Sequence, residues 1–227
     1  MHLREIKEPM DRSSKNRLTP HLLPRFAGDT LFDRIARAVC RAGCLPRKEL
    51  YEAWEVARRV HRRFKGGRVV DLAAGHGLLA QILLILDRDL NGALAVDLRL
   101  PPSAELLSRE LQVDWPHLAG KLSFKEQDLN HLTLGPDDLV VSAHACGSLT
   151  DLVLDRAVSA RCRVAVLPCC HDLDVADQGG LQGWLDGPLA VDVTRAAGLR
   201  ARGYRVYTQT IPGDITPKNR LLMGEPL

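Results

Sequence analysis

Two short stretches concentrate the residue types that do chemistry. The first is His144-Ala145-Cys146-Gly147-Ser148-Leu149-Thr150-Asp151, and the second is Pro168-Cys169-Cys170-His171-Asp172. Each follows a run with the character of a buried strand, Leu139–Ala143 and Val164–Leu167. If those runs are neighbouring parallel strands, two His and three Cys meet at their carboxyl ends, where open α/β sheets collect ligands. Three chemistries use such a set. His144 or His171 can act as general base, since imidazole titrates near neutral pH. Cys146 or Cys169 can act as a nucleophile that adds to an electron-poor ring carbon. Cys146, Cys169, Cys170 and His171 carry the ligand types zinc prefers. The two thiols are adjacent, however, and no C-x-x-C pair accompanies them, so no metal is assigned. Free cysteines packed as small apolar side chains are the plain alternative.

A third stretch supplies a binding loop. Arg68-Val69-Val70 reads as a buried strand and Leu78–Asp87 as the start of a helix, joined by the small-residue turn Asp71-Leu72-Ala73-Ala74-Gly75-His76-Gly77. Glycine there leaves backbone bare for a ligand to approach. Gly75-His76-Gly77-Leu78-Leu79-Ala80 also satisfies the dinucleotide pattern, with Asp97 about 20 residues on. Asp71 decides between the ligands: its carboxylate repels a pyrophosphate resting on the helix N-terminus and attracts a nucleoside carrying an ammonium and a sulfonium.

Asp71-x-Ala73-x-Gly75-x-Gly77 resembles motif I of the Rossmann-like, S-adenosylmethionine (SAM)-dependent methyltransferases. His-Ala-Cys-Gly followed by a Thr-Asp-Leu helix, with a downstream Pro-Cys-Cys-His, is similar to one methyltransferase-domain family. That family includes the eukaryotic enzyme that 2′-O-methylates the tRNA acceptor stem, and uncharacterised methyltransferase-like proteins. The likeness covers about residues 66–175. It implies a cofactor site of Asp71, Ala73, Gly75, Gly77, Asp97 with Leu98, Gln127, Asp128 and His144. Asp97 would take the ribose hydroxyls, and Gln127-Asp128 the adenine amino group. His144, Cys146, Cys169, Cys170 and His171 would line the acceptor side. Paired cysteines also occur in RNA cytosine-5 methyltransferases, but the surrounding motifs do not match. An Asp/Asn-Pro-Pro-aromatic motif after the fourth strand is missing, and no Lys-Asp-Lys-Glu set can be assigned, so the methylated atom stays open.

The elements that must position these residues follow from periodicity. Strands are expected at 93–97, 122–128, 139–143, 164–167, 204–211 and 220–223, alternating with helices after residue 68. The last two are close enough in sequence to pair antiparallel. The expected fold is α/β: a Rossmann-like class I methyltransferase domain over 68–227, with a mostly parallel seven-stranded sheet and a C-terminal antiparallel hairpin. An N-terminal helical extension over 1–67 precedes it. Within that extension Asp11–Arg17 reads as a mobile or partner-ordered arm, Asp29 as a helix N-cap, and two helices follow, the second starting near Pro46.

Charge is segregated. Residues 1–67 carry 16 Lys/Arg against 8 Asp/Glu, and residues 68–227 carry 15 against 20. A basic segment on an acidic domain points to a polyanionic partner, here RNA, either tRNA or rRNA. Arg58, Arg59, Arg62 and Arg63, with Lys218 and Arg220 in the hairpin turn, are the expected phosphate contacts. The same arginines also suit a helix C-terminus without any RNA. Low aromatic content argues against extensive base-stacking surfaces. The charged N-terminus and the lack of a membrane-length apolar run predict a soluble, cytoplasmic protein with no membrane association. The six cysteines lack the spacing of a secreted disulfide framework, and no obligate protein partner is inferred.

Overall fold

A computed structural model describes residues 10–227. Seven strands form one sheet: β1 (Arg68–Leu72), β2 (Gly92–Asp97), β3 (Leu122–Glu126), β4 (Asp138–Ser142), β5 (Arg163–Val166), β6 (Tyr204–Thr210) and β7 (Arg220–Pro226). Their spatial order is β3-β2-β1-β4-β5-β7-β6. The first five are parallel, and β7 runs antiparallel between β5 and β6. The expected α/β class and hairpin are therefore observed. Strand order reverses between β1 and β4, which opens a crevice at their carboxyl ends.

Alternate side chains of the central strands feed two separate cores, as a sheet covered on both faces requires. Val69, Leu139, Val141 and Ala165 enter one cluster, while Val70, Val140, Val164 and Val166 enter the other. Helices α1 (Leu31–Ala42), α2 (Arg47–Arg63), α3 (Leu78–Leu86) and α4 (Ala104–Asp114) cover the first face; α5 (Ser148–Ser159) and α6 (Gly187–Ala201) cover the second. The first cluster contains Ile35, Val39, Leu50, Val56 and Val60 together with Val69, Leu79 and Ile82, so α1 and α2 share a core with the sheet.

Two expectations for the N-terminal segment are corrected. Asp11–Arg17 is tied down rather than free. Lys48 and Arg47 donate backbone bonds to the Ser14 and Asn16 carbonyls, Leu18 donates to Leu45, and Arg12 pairs with Asp214 at 2.9 Å. Leu18, fully buried, anchors it. Residues 1–9 of the expected 1–67 extension lie outside the described residues. The N-cap of α1 is Thr30, not Asp29: its hydroxyl accepts from Asp33 N at 3.1 Å and donates to the Asp33 carboxylate at 2.6 Å. Among the described residues, no helix is long and apolar enough to cross a membrane.

Candidate active site

At the carboxyl ends of β1 and β4 lies a cavity of about 390 Å³. Its walls include three carboxylates, Glu49, Asp71 and Asp97, and no Lys or Arg. Asp71 ends β1 and is 2% exposed. It accepts one backbone bond, from Ala80 N in the first turn of α3 at 3.2 Å. Burial, with the nearby Asp97 charge adding to it and the Ala80 N–H opposing it, pushes its pKa up to about 8. No cationic side chain pairs with it among the described residues. A buried acid without a counter-ion, facing a cavity walled by further acids, is a site for a cation.

The turn after β1 is shaped by backbone conformation. Ala73, Gly75 and Gly77 all have positive φ. A Cβ on Gly77 would lie 3.0 Å from Phe124 Cε1 and 3.2 Å from Ala95 Cβ, so this glycine lets α3 close onto the sheet. A Cβ on Gly75 would meet nothing within 4 Å, so that backbone borders open cavity. Asp97, at the end of β2, holds the turn by accepting from Gly75 N at 2.9 Å. Ala73 and His144 also line the cavity, as expected. Leu98 is 71% exposed beside Asp97, outside the cavity wall. Gln127 and Asp128 are likewise not wall residues. Asp128 caps the next 3-10 turn through Asn130 N, while the Gln127 side-chain oxygen is buried without a partner.

Sequence reasoning missed the contribution of α2. Glu49 and Ala53 stand one helical turn apart and, with Leu45, line the cavity together with the β1 end. Burial, then the neighbouring Glu52, raises the Glu49 pKa against the pull of Lys48. The i,i+4 pair was visible in the sequence, but nothing there says what an amphipathic face will meet.

The expected catalytic set divides. Burial, helped by Lys48, lowers the His144 pKa to about 4, so it is neutral at physiological pH. Cys146, Cys169 and Cys170 do converge, their Sγ atoms all within 4.8 Å of one another and the first pair 2.8 Å apart. Burial and Cys146 raise the Cys169 thiol. For Cys170 burial also raises the thiol, but hydrogen bonds with Cys146 and Cys169 and the Lys218 ammonium outweigh it and leave the pKa lowered. His171 turns away from the cavity. Its side chain is 2% exposed and its Nε2 is 2.8 Å from the Asp192 carboxylate. Asp192 also takes Arg220 Nε at 2.6 Å and lies 3.5 Å from Arg195. His171 and Arg220 thus belong to a buried network that fixes the loop after β5 against α6.

The expected phosphate contacts on α2 are not brought to the cavity. From Glu49 to Arg62 the helix climbs about 20 Å, toward the amino ends of the strands. Arg59 bonds Glu55 and the Thr210 carbonyl, and Arg63 bonds and stacks on Tyr207. Arg58 lies over Trp54, and Arg62 bonds the Arg58 carbonyl. Exposed Lys218 is instead beside Cys170, Lys48 is beside His144, and Arg17 is beside the wall residue His76.

Comparisons with known proteins place this arrangement. Solved structures of similar shape include an O-methyltransferase family protein from Burkholderia thailandensis, with a TM-score of 0.53 and 21% identity over 92% of this chain and 63% of its own. The SAM-dependent methyltransferase SibL reaches 0.53 at 19% identity, over 93% and 66%. These likenesses establish the fold. Among curated proteins, the glutathione S-transferase C-terminal domain-containing protein homolog of Drosophila pseudoobscura pseudoobscura is 27% identical over 200 residues, 70% of this chain and 33% of the relative. The Mus musculus protein of that name is 24% identical over 198 residues, 71% and 30%. The chain spans about a third of the length of these relatives. A family model described as a methyltransferase domain matches residues 47–177, more than half of the chain and all of the cavity's polar wall. The chain belongs to that methyltransferase-domain family.

Proposed function

We propose that this protein transfers a methyl group from SAM to RNA. The observation that carries the cofactor assignment is the cavity wall: three acids and no cation, at the strand ends where this fold binds ligands. A dinucleotide pyrophosphate finds no positive side chain there, whereas the ammonium and sulfonium of SAM find three carboxylates. Asp71 holds the ammonium, Asp97 the ribose hydroxyls, and Gly75 admits the cofactor to the backbone. The unpartnered Gln127 oxygen is an acceptor of the right kind for the adenine amino group. When bound, SAM supplies a methyl group already activated by its sulfonium. The chain then has to align an acceptor and exclude water, and proximity does most of the work. Neutral His144 accepts a proton only from an acceptor acidified by its surroundings.

RNA as the acceptor is supported by the exposed cations Arg17, near the wall residue His76, and Lys218, beside Cys170, and by tRNA methylation in an enzyme with similar paired motifs. Calorimetric titration with SAM and with NAD tests the cofactor: SAM should bind and NAD should not, and the reverse result would overturn the assignment. Labelled methyl transfer into RNA fractions, followed by nucleoside mass spectrometry, tests the acceptor. Label confined to small molecules or protein would move the assignment to those classes.

A further inference from the structure

We infer that Cys146, Cys169 and Cys170 form a binding site for a thiophilic divalent metal ion of the Zn²⁺ type, with one coordination position open. The three Sγ atoms come from two different strand ends and lie within 4.8 Å of one another. Tetrahedral zinc–thiolate bonds of about 2.3 Å put sulfurs about 3.8 Å apart, so side-chain rotation alone brings all three to an ion. The backbone fixes their convergence. Leu167 N donates to the Ser142 carbonyl at 2.9 Å, and Gly147 N donates to the Cys170 carbonyl at 3.1 Å. Gly147 adopts φ 58 and ψ −130, a conformation open to glycine, which turns Cys146 toward the opposite loop.

The third thiol is what favours an ion over a disulfide. Cys146 and Cys169 alone would suit oxidation, but Cys170 within the same radius has no part in a single disulfide. The Lys218 ammonium beside Cys170 offsets the net negative charge of three thiolates around a dication. The adjacency of Cys169 and Cys170 argues against zinc in the sequence; in the fold both sulfurs nonetheless lie within reach of each other and of Cys146. His171 is not the fourth, because its ring nitrogens lie outside the radius within which the three sulfurs converge. No other His, Cys, Asp or Glu completes the group among the described residues. Two of the three cysteines are exposed, so the open position faces solvent. Binding to neutral thiols is M²⁺ + 3 RSH → M(SR)₃⁻ + 3 H⁺, with no change in oxidation state.

The test is titration of the reduced, chelator-stripped full chain with Co²⁺ and then Zn²⁺. One ion per chain is expected, with tetrahedral cobalt absorption, an intense thiolate charge-transfer band, proton release into weak buffer, and displacement by Zn²⁺. Cys146→Ser, Cys169→Ser and Cys170→Ser should each lower affinity at least tenfold, and His171→Asn should leave the spectrum unchanged. Absence of tetrahedral cobalt in the wild-type chain would overturn the site. So would a Cys146–Cys169 disulfide in protein isolated without oxidant, or metal loss in a folded His171→Asn variant. Metal binding is expected whether or not the acidic cavity takes SAM, and SAM titration of the same samples keeps the two outcomes separate.

Discussion

Asp71 couples folding, pH and ligand binding in one side chain. Its ordinary pKa of 3.8 rises to about 8 in the folded chain, mainly through burial. Between those values the folded protein holds a proton that the unfolded chain has released. The contribution of Asp71 to stability is therefore complete below pH 3.8 and is lost as pH rises toward 8. A cation beside the carboxylate reverses the balance. SAM binding at pH 7 should release a proton, measurable by calorimetry in buffers of different ionisation enthalpy, and should tighten from pH 6 to 9. Asp71→Asn separates the two effects. Melting of the ligand-free protein at pH 8 should rise by several degrees, since about 1 kcal/mol shifts a chain of this size by about 2–4 °C. SAM affinity should fall about 10–100-fold, the loss of one charge-assisted hydrogen bond. A variant that lost stability and kept affinity would refute the role. His144 runs in the opposite direction. Its pKa is depressed from 6.5 to about 4, so its stability contribution is present above 6.5 and declines as pH falls toward 4. Methyl-transfer rates should show no limb at pH 6.5 that disappears in His144→Gln.

The turn between β1 and α3 shows how one element divides its work between two glycines. Both have positive φ, so either substitution by Ala strains the backbone by about 1 kcal/mol. At Gly77 the new Cβ also presses on Phe124 and Ala95, and the expected cost is about 2–3 kcal/mol in urea unfolding. At Gly75 it enters open cavity, so Gly75→Ala should lose SAM affinity with little further loss of stability. Equal stability losses in the two variants would contradict this division. The network around Asp192 is the corresponding device after β5. Asp192→Ala leaves the buried His171 ring without its carboxylate, while Arg195 keeps its pair with Asp151, at about 1–3 kcal/mol. The β1–α3 turn was legible in the sequence because a strand, an acid and glycines at fixed offsets are local signals. So were the strands, each found within a few residues of its observed ends, because short apolar runs between turn residues mark strands covered on both faces. The Asp192 network was not legible: His171 follows two cysteines, yet its partner comes from α6, 21 residues later. Glu49 escaped for the same reason, since helical spacing identifies a face but not the cavity opposite it.

At the scale of the whole molecule, the charge asymmetry of the sequence splits into two populations with different uses. Along α2, Arg59 bonds the Thr210 carbonyl at the carboxyl end of β6 and Arg63 stacks on Tyr207 in the middle of that strand, while the helix end leads toward the amino end of β1. The exposed cations Lys15, Arg17 and Lys218 belong to the opposite end, where Arg17 is near His76 and Lys218 is near Cys170. An RNA acceptor has to present its reacting atom to the cavity, so its backbone should lie across the second group. Each phosphate contact steepens the dependence of log K on log salt by about 0.7–0.9. The Lys15→Gln/Arg17→Gln/Lys218→Gln variant should therefore weaken RNA binding and lower that slope by about 2–3. Arg58→Gln/Arg62→Gln, at exposed positions about 14 and 20 Å up the helix from Glu49, should change affinity less than twofold. Fluorescence anisotropy across a salt series measures both. A slope near zero in the unsubstituted protein would remove the polyanion from the mechanism and make an uncharged acceptor the better fit to the cavity.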